Sequence, residues 1–590
     1  MLVLLVALLV VVVGIGAYGI PSHASSNIVT WDTQSQFASA ARHGTTANAD
    51  GTVTLEGRPT LRTPRQSGSM GPLRRLRSNP RYFTADGKTA VYLTGSHTWI
   101  NLPDGSRTDP PAAFDFPSYL ADLERWHHNF IRLWAWDVTF ESSRGYRFTY
   151  SPQPYVRSGP GRAIDGLPKF DLTRFNQAYF DRLRSRVVRA RRAGIYVAVM
   201  LFEGYMADKG PLPSVYQGHP FAAENNVNAI DGDVDNDGRP REVYLLPGEG
   251  GLRKVSQIQK AYVRKVIDTV NDLDNVLYEI ANEASSSSTA WQYDLIGYIK
   301  RYEARKRKQH PVGMTFQFAD GRNATLIESA ADWVSPRTRI DNPPAAKGAK
   351  VVLSDSDHLC GICAAANGDW AWREFARGRN PIYMDAYADP YWSSLTGSRD
   401  SARRGLGETR RLADRIDLAS MRPQGRLAST GYVLSNPGRE YVVYQPARGS
   451  FRLHLAQQGA TSFTVDWISP GSAATSRETI AGGREVTLTP PFDTAVAAHI
   501  RANTHRTAGD FVVTHDAGKP RRWTRVTSRA TIPARSRILI ATRSSNDRVT
   551  WSPWRPRARG LPEGRYVQIR VGFSTTDADR TPILEALTLE

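Results

Sequence analysis

An Asn-Glu pair closes a short apolar run and gives the strongest chemical signal in the chain. The run NVLYEIANEASS, residues 275–286, predicts a buried strand whose C-terminal end delivers Asn282 and Glu283. A carboxyl group at the mouth of a parallel barrel is partly desolvated, which raises its pKa and suits it to protonating a leaving-group oxygen. The adjacent Asn282 can hydrogen-bond a sugar hydroxyl. The same dipeptide also occurs in ordinary solvated turns, so the surrounding elements decide between the two interpretations.

A second motif is rich in aspartate. The run IDGDVDNDGRP places Asp233, Asp235 and Asp237 two residues apart, just before Gly238. This spacing matches the first half of a calcium loop, D-x-D-x-D-G, although the twelfth position is Tyr244 rather than Glu, which excludes an EF-hand. The motif therefore predicts either a structural calcium ion on these three residues or a solvated or sugar-binding acidic loop. We expect catalysis to require no cofactor.

Eight apolar runs alternate with helical stretches after Arg81, and these elements must position both motifs. In one helical stretch Ile258, Tyr262, Val266 and Val270 recur every four residues, as the buried face of a helix does. Another helix is expected to begin with Asp171 as its cap. The strand candidates, in order, are VYLTG, NFIRLWAW, IYVAVMLFE, NVLYEIANE, PVGMTFQ, ADWVSP, KVVLSDSD and PIYMDAY. This alternation predicts an α/β fold, a (β/α)8 TIM barrel whose functional residues lie at the C-terminal ends of the strands.

The same positional argument identifies further candidate residues at the barrel mouth. Exposed tryptophans there could stack on the faces of sugar rings, and the polar side chains could bind hydroxyl groups. For each of them, packing inside the barrel is the alternative role. The candidates for substrate binding are His97, Trp99, Arg132, Trp134, Glu203, Gln317 and His358, together with Asn282.

These motifs resemble a known group of enzymes. An Asn-Glu at the end of the fourth strand is similar to the signature of the large retaining clan of (β/α)8 glycoside hydrolases, in which the Glu is the acid/base. The strings YFTADGKTAVYLTGSHTW and NFIRLW resemble the apiosidase-like catalytic domain family. The pattern YVVYQP, FTVDWISP, GG and LTPPF resembles the collagen-binding-type β-sandwich that commonly follows such barrels. Together the resemblances cover about residues 80 to 500 and imply a glycosidase.

The resemblance also implies a nucleophile at the end of the seventh strand, where the clan has a Glu. This chain has KVVLSDSDHLCG there, so Asp355 is the expected nucleophile and Asp357 is a close alternative. An Asp is one methylene shorter than a Glu, which is a departure from the retaining pattern. Asp385, at the end of the eighth strand, is a third catalytic candidate with substrate binding or structural capping as its alternative. Arg132 matches an Arg that the clan places near its nucleophile.

The remainder of the chain predicts β-sandwiches. Beyond about Arg410 the pattern alternates in steps of two between turns, which is typical of an all-β sandwich at 410–503, and a second sandwich is expected at 504–590. The strand-like segment 25–62 is too short to fold alone and is expected to complete the last sandwich. The barrel is assigned to 63–409. The predicted architecture is thus a TIM barrel followed by two all-β sandwich domains.

Residues 1–24 predict export. MLVLLVALLVVVVGIGAYGI is long and apolar enough to span a bilayer, and SHASS offers a cleavage site after Ala24. No Lys or Arg precedes the apolar run, so a cleaved signal peptide, an uncleaved membrane anchor and a misplaced start all remain open. We expect a secreted or surface-anchored protein. For such a protein Cys360 and Cys363 in HLCGIC favour a local disulfide over two free thiols.

The net charge of +19 comes from arginines spread along the chain. The densest basic runs end predicted helices, where cations complement the helix dipole, and no nucleic-acid-binding motif accompanies them. The expected partner is therefore a poly- or oligosaccharide substrate and no nucleic acid, and the oligomeric state is undetermined. The leading hypothesis is a glycoside hydrolase that uses two carboxyl groups. The alternatives are a non-catalytic carbohydrate-binding or adhesive protein with a degenerate barrel, and a binder of anionic polymers.

Overall fold

The structure is a computed structural model. It describes residues 28–59, 71–143, 146–205, 216–318, 320–361, 363–387, 399–455, 462–482, 485–556, 560, 563–577 and 580–590. The described residues form two compact units, one within 59–503 and one built from residues 28–58 with 504–590. The expected signal peptide or anchor lies outside the described residues. Within the described residues no helix has the length and apolar character needed to cross a membrane.

The first unit contains the predicted barrel, and its strand order confirms the fold class. Eight parallel strands form one sheet, in which the second to the eighth pair in chain order and the first pairs with the eighth. The strands are β1 Gly95–His97, β2 Phe130–Leu133, β3 Tyr196–Glu203, β4 Val276–Asn282, β5 Val312–Thr315, β6 Trp333–Ser335, β7 Val351–Asp355 and β8 Asn380–Met384. Every residue of β3 and β4 is buried, as parallel strands covered on both faces require.

β1 and β2 come together where the barrel closes. The Asn129 amide donates to the Thr94 carbonyl at 2.9 Å. A Cβ on Gly95 would lie 2.2 Å from the Phe130 carbonyl oxygen, so only glycine allows the two backbones to approach this closely. β1 begins at Gly95, the last residue of the predicted strand VYLTG, and Val91, its first residue, forms a bridge with Phe83 instead.

Helices follow the barrel strands along the chain. They are α1 Phe116–Arg125, α2 Gln177–Arg192, α3 Arg253–Val270, α4 Thr289–Glu303, α5 Asn323–Glu328, α6 Asp357–Cys360, α7 Gly368–Ala376 and α8 Arg399–Ala413. The predicted start of α2 at Asp171 is wrong. Residues Pro168–Phe175 form a strand against Tyr155–Arg162, and the helix begins after Asn176, whose side chain accepts from the Ala178 amide at 3.2 Å.

Shorter strands outside the barrel form further small sheets. Asp104–Ser106, Phe140–Ser143 and Tyr146–Ser151 form a three-stranded sheet, and Arg74–Arg75 pairs with Phe83–Thr84. The same unit then continues into a β-sandwich. One of its sheets contains Arg422–Pro423, Val433–Asn436, Glu440–Gln445, Val496–His505, Ser462–Ile468 and Thr475–Ala481, and Phe451–His454 pairs with Glu485–Leu488. Trp467, Phe463 and Tyr441 are buried in its core.

The other unit joins the two ends of the chain. Val29–Trp31 runs antiparallel to Ile583–Leu589, with Val29 opposite Leu589. The first sheet also contains Thr45–Ala47, Val53–Leu55 and Val526–Thr531, and the second contains Ala41–His43, Ala508–Arg521, Gly564–Thr575 and Ser536–Ser545. Trp31, Leu55, Phe511 and Leu587 share one buried core, so residues from both ends of the sequence build it.

Candidate functional site

A cavity of about 530 Å³ opens where several barrel strands end. The end of β4 delivers Asn282 and Glu283 to its wall, β3 delivers Glu203, and α6, directly after β7, delivers Asp357 and His358. Half of the remaining lining residues are aromatic. The remaining residues are Trp99, Trp134, Trp136, Glu141, Tyr205, Phe316, Phe318, Arg337, Leu359, Cys360, Gly361 and Met384. The cavity therefore combines carboxyl groups with apolar aromatic faces, the mixed lining that is typical of ligand sites.

Glu283 has an unusual backbone conformation. Its φ is +46°, in the left-handed region that residues other than glycine rarely adopt. Gly204 lies beside it: a Cβ there would be 2.4 Å from the Ala284 Cα, and its amide donates to the Asn282 carbonyl at 2.8 Å. Strained residues persist where the surrounding structure holds them, and they cluster at functional sites.

Asp355 occupies a different place from Asp357. Asp355 is fully buried and is not among the described residues that line the cavity. Its carboxylate accepts from Arg132 Nη1 at 2.9 Å and from the Asp357 amide at 3.0 Å, and it lies 3.0 Å from His97 Nε2. Burial alone would raise the pKa of Asp355, but the charges of His97 and Arg132 hold it below its ordinary value. Asp355 is thus a fixed anion packed behind the lining.

Arg132 connects the carboxyl groups of β4 and β7. It donates to Glu279 from Nε at 2.9 Å and from Nη2 at 2.5 Å. Nη2 also donates to Asn282 Oδ1 at 2.8 Å, and Nη1 reaches Asp357 Oδ2 at 3.3 Å. The sequence did not identify Glu279, although a charged residue inside an apolar strand, four positions before Glu283, was a usable signal. Arg132 and His97 therefore position the site from behind the lining.

Glu203 lies beside Glu283 in the cavity wall. Burial and then the charge of Glu283 raise the pKa of Glu203 well above its ordinary value. Its Oε1 accepts from Asn282 Nδ2 and from the Tyr205 amide, each at 3.1 Å. The raised pKa favours the protonated form of Glu203, which does not repel Glu283.

Two polar atoms of lining residues have no hydrogen-bond partner within the described structure. They are the buried Nε2 of His358 and Nε1 of Trp134. The other ring nitrogen of His358 lies 2.9 Å from Ser335 Oγ, which fixes the ring. Buried polar atoms of this kind usually have a partner, so both atoms are suited to hydrogen-bonding a ligand.

Gln317 and Asp385 are not among the described residues that line the cavity. Gln317 donates to the Ser285 carbonyl at 3.0 Å and to Thr289 Oγ1 at 2.9 Å, at the start of α4, while its neighbours Phe316 and Phe318 form the wall. Asp385 accepts from Arg403 Nε at 2.7 Å and Nη2 at 2.9 Å. These partners give both residues structural roles.

The sequence missed several lining residues. Trp136 lies two positions after Trp134 in the predicted strand NFIRLWAW, a spacing that indicated a shared face. Glu141 comes from the strand Phe140–Ser143, outside the eight predicted runs, so no period indicated it. The expected disulfide between Cys360 and Cys363 is present, and Cys360 borders the cavity.

The carboxylates that come together at the Asp-rich loop differ from the three predicted calcium ligands. Asp233 and Asp235 offer oxygens that lie within 4.8 Å of one another and of a Glu242 oxygen. Asp237 is not part of this group, and its Oδ1 accepts from the Arg239 amide at 2.8 Å. Glu242 was missed because it lies at the tenth position of the loop, which the calcium-loop pattern does not use for a side-chain ligand.

Residues 147–331, about a third of the chain, match the family model described as a domain of unknown function, DUF6298. The matched range contains β3, β4 and the Asp-rich loop. No curated protein matches the chain.

Solved structures similar to the chain include a glycoside hydrolase family 5 protein from Bacteroides vulgatus, at 10% identity and a TM-score of 0.48, covering 73% of this chain and 94% of that one. A second, described as a glycoside hydrolase, has 12% identity and a TM-score of 0.47 over 74% and 97% of the two chains. Endo-glycoceramidase II from Rhodococcus sp., in a cellobiose-like isofagomine complex, has 14% identity and a TM-score of 0.34 over 72% and 100%. At these values the likenesses do not decide the function, and the barrel is established by its own strand order.

Proposed function

We propose that this protein is a glycoside hydrolase that cleaves a poly- or oligosaccharide with Glu283 as its acid/base. One observation carries the proposal: Glu283, at the end of β4, and Asp357, just after β7, line the same aromatic cavity. Two carboxyl groups flanking a sugar-binding cavity are the groups that glycoside hydrolysis needs. The resemblances to apiosidase-like and collagen-binding-type domains stay predictions.

Asp357 is the better partner for Glu283 in this proposal. Asp355 is the first carboxylate after the apolar run. It accepts hydrogen bonds from Arg132 and from the Asp357 amide, and it is buried behind the lining. Asp357 reaches the cavity because the chain turns at Ser356, with φ −60° and ψ −27°, into α6. Arg132 contacts both aspartates, at 2.9 Å from Asp355 and 3.3 Å from Asp357.

The proposed reaction retains the anomeric configuration. Glu283 protonates the glycosidic oxygen while the Asp357 carboxylate attacks the anomeric carbon, so that the aglycone leaves as an alcohol and a glycosyl ester forms on Asp357. Glu283 then takes a proton from a water molecule as that water attacks the same carbon. The ester bond breaks and Asp357 leaves as a carboxylate. Glu203, whose Oε1 accepts from Asn282 Nδ2, would hold Asn282 in place to bind a sugar hydroxyl.

The test is a screen of polysaccharides and aryl glycosides with the full chain, followed by variants on any substrate found. Glu283→Gln should lower kcat by several orders of magnitude, whereas Glu224→Gln, at an exposed glutamate outside the lining, should match the wild type. NMR of the first-formed product should show retained configuration. Wild-type turnover in Glu283→Gln would overturn the proposal, and an inverted product would overturn the retaining mechanism.

A second function, non-catalytic saccharide binding, is favoured by the contacts of Asp355. This residue stands at the position where the clan has its nucleophile, but its carboxylate contacts Arg132 and His97. In that case the wild type and Glu283→Gln would bind the same oligosaccharide with equal affinity in calorimetry, and neither would release a product.

A further inference from the structure

The Asp-rich loop brings together three carboxylates that lie far from the β4 and β7 carboxyl groups in sequence. One oxygen each from Asp233, Asp235 and Glu242 lies within 4.8 Å of the others. Asp233 and Asp235 belong to the loop, and Glu242 lies in the short turn Arg241–Tyr244 that follows it. Carboxylates held this close repel one another, so the arrangement favours a cation between them.

The state of Asp233 is an independent indication of a ligand. Asp233 is only 8% exposed, and its Oδ2 accepts from the Gly238 amide at 3.0 Å. Its other oxygen, Oδ1, is buried and has no hydrogen-bond partner in the described part of the chain. Since a buried carboxylate oxygen without a partner is costly, a group that satisfies it is expected.

We propose that a calcium ion binds between Asp233, Asp235 and Glu242. The donors are all carboxylate oxygens, which hard divalent cations prefer. Calcium accepts six to eight oxygens in flexible geometry, whereas magnesium requires a near-ideal octahedron and usually retains several waters. Three carboxylates from a loop and a separate turn suit the less demanding ion, with backbone carbonyls and water completing its shell.

The ion would join the two ends of the loop and support the cavity wall. Gly232 packs against the turn, since a Cβ there would lie 2.6 Å from Val243 Cγ2. In the same turn the Tyr244 hydroxyl lies 3.0 Å from Asp137 Oδ2 and 3.1 Å from the Glu203 carbonyl oxygen. A calcium ion on Glu242 would therefore stabilise the segment that holds Glu203.

The experiment uses the full chain after exhaustive treatment with EDTA and dialysis. Calorimetric titration with calcium chloride should show one site, and saturating calcium should raise the melting temperature by about 3 °C or more. Magnesium chloride should have a clearly smaller effect. No binding and no change in melting temperature would overturn the proposal, and an equal effect of magnesium would overturn the assignment to calcium.

Variants locate the site. Asp233→Asn and Glu242→Gln should each weaken calcium binding at least tenfold, whereas Glu249→Gln, the same change at an exposed position just beyond the turn, should bind as the wild type does. Wild-type affinity in both Asp233→Asn and Glu242→Gln would overturn the site. The titration of the wild-type protein tests the proposal even if a variant folds poorly, and none of these measurements depends on glycosidase activity.

Discussion

Nη1 of Arg132 lies 2.9 Å from Oδ2 of Asp355, and both side chains are buried. The same guanidinium is held by Glu279 on β4 and reaches Asp357. Because a single arginine touches carboxylates of both β4 and β7, it fixes the relative positions of the two strand ends that carry Glu283 and Asp357. Removing any one partner leaves an uncompensated charge in the barrel interior.

The two aspartates at the end of β7, Asp355 and Asp357, should therefore respond differently to substitution. Asp355→Asn should lower the free energy of unfolding by about 3–5 kcal/mol, since it breaks a buried ion pair. Asp357→Asn should lose turnover with a smaller loss of stability, because its contact with Arg132 is longer, at 3.3 Å. Urea unfolding of both variants, with activity measured beside it, separates the roles. Unchanged stability in Asp355→Asn would contradict the structural role.

Asp137 should make stability depend on pH. Burial raises its pKa to about 7, while hydrogen bonds from the Glu203 amide and the Tyr244 hydroxyl oppose the shift. The folded state holds this proton more tightly than the unfolded state, so its contribution is fully present below about pH 4 and is lost as the pH rises through about 7. This contribution is on the order of 4 kcal/mol.

Asp137→Asn should remove this part of the pH dependence, because an amide can still accept both hydrogen bonds and does not ionise. Urea unfolding at intervals from pH 4 to pH 8 measures the effect. Asp400→Asn, at an exposed position on α8, serves as the control and should keep the wild-type slope. An Asp137→Asn profile that parallels the wild type over this range would show that Asp137 is ionised throughout.

Gly204→Ala should disturb the tip of β4. The new Cβ would lie 2.4 Å from the Ala284 Cα, a backbone atom that cannot move aside cheaply. We expect a loss of about 1–3 kcal/mol in the free energy of unfolding, together with lower turnover. Gly248→Ala is the matched control, since nothing lies within 4 Å of its added Cβ. Equal melting temperatures for the two variants would refute the close approach.

The disulfide should matter more for the cavity than for global stability. Cys360 and Cys363 are three residues apart, so the bridge closes a very small loop and contributes about 2 kcal/mol. Leu359, Cys360 and Gly361 all border the cavity. The double variant Cys360→Ala, Cys363→Ala should raise KM on the substrate found by screening, with a modest fall in melting temperature. An unchanged KM with a large loss of stability would reverse this assignment.

The sequence predicted the barrel well because strands buried on both faces have a local pattern that can be recognised. β3 and β4 were placed within one residue at each end, since parallel strands are nearly continuous apolar runs. The start of α2 was missed for the opposite reason. Residues Pro168–Phe175 pair with a partner strand through hydrogen bonds that neither segment's own pattern reveals.

The local pattern also predicted that Asn282 and Glu283 lie at the barrel mouth, because the end of a buried strand determines where the next residues emerge. Only the tertiary structure separated Asp355 from Asp357. Both follow the same apolar run, and the difference between them is the contact of Asp355 with Arg132 and His97, which come from β2 and β1. In the same way, Glu242 joins Asp233 and Asp235 only after the turn folds back on the loop. Spacing along the chain determines which residues can reach a strand end, whereas contacts between distant segments decide which carboxylate is held as a structural anion and which one lines the cavity.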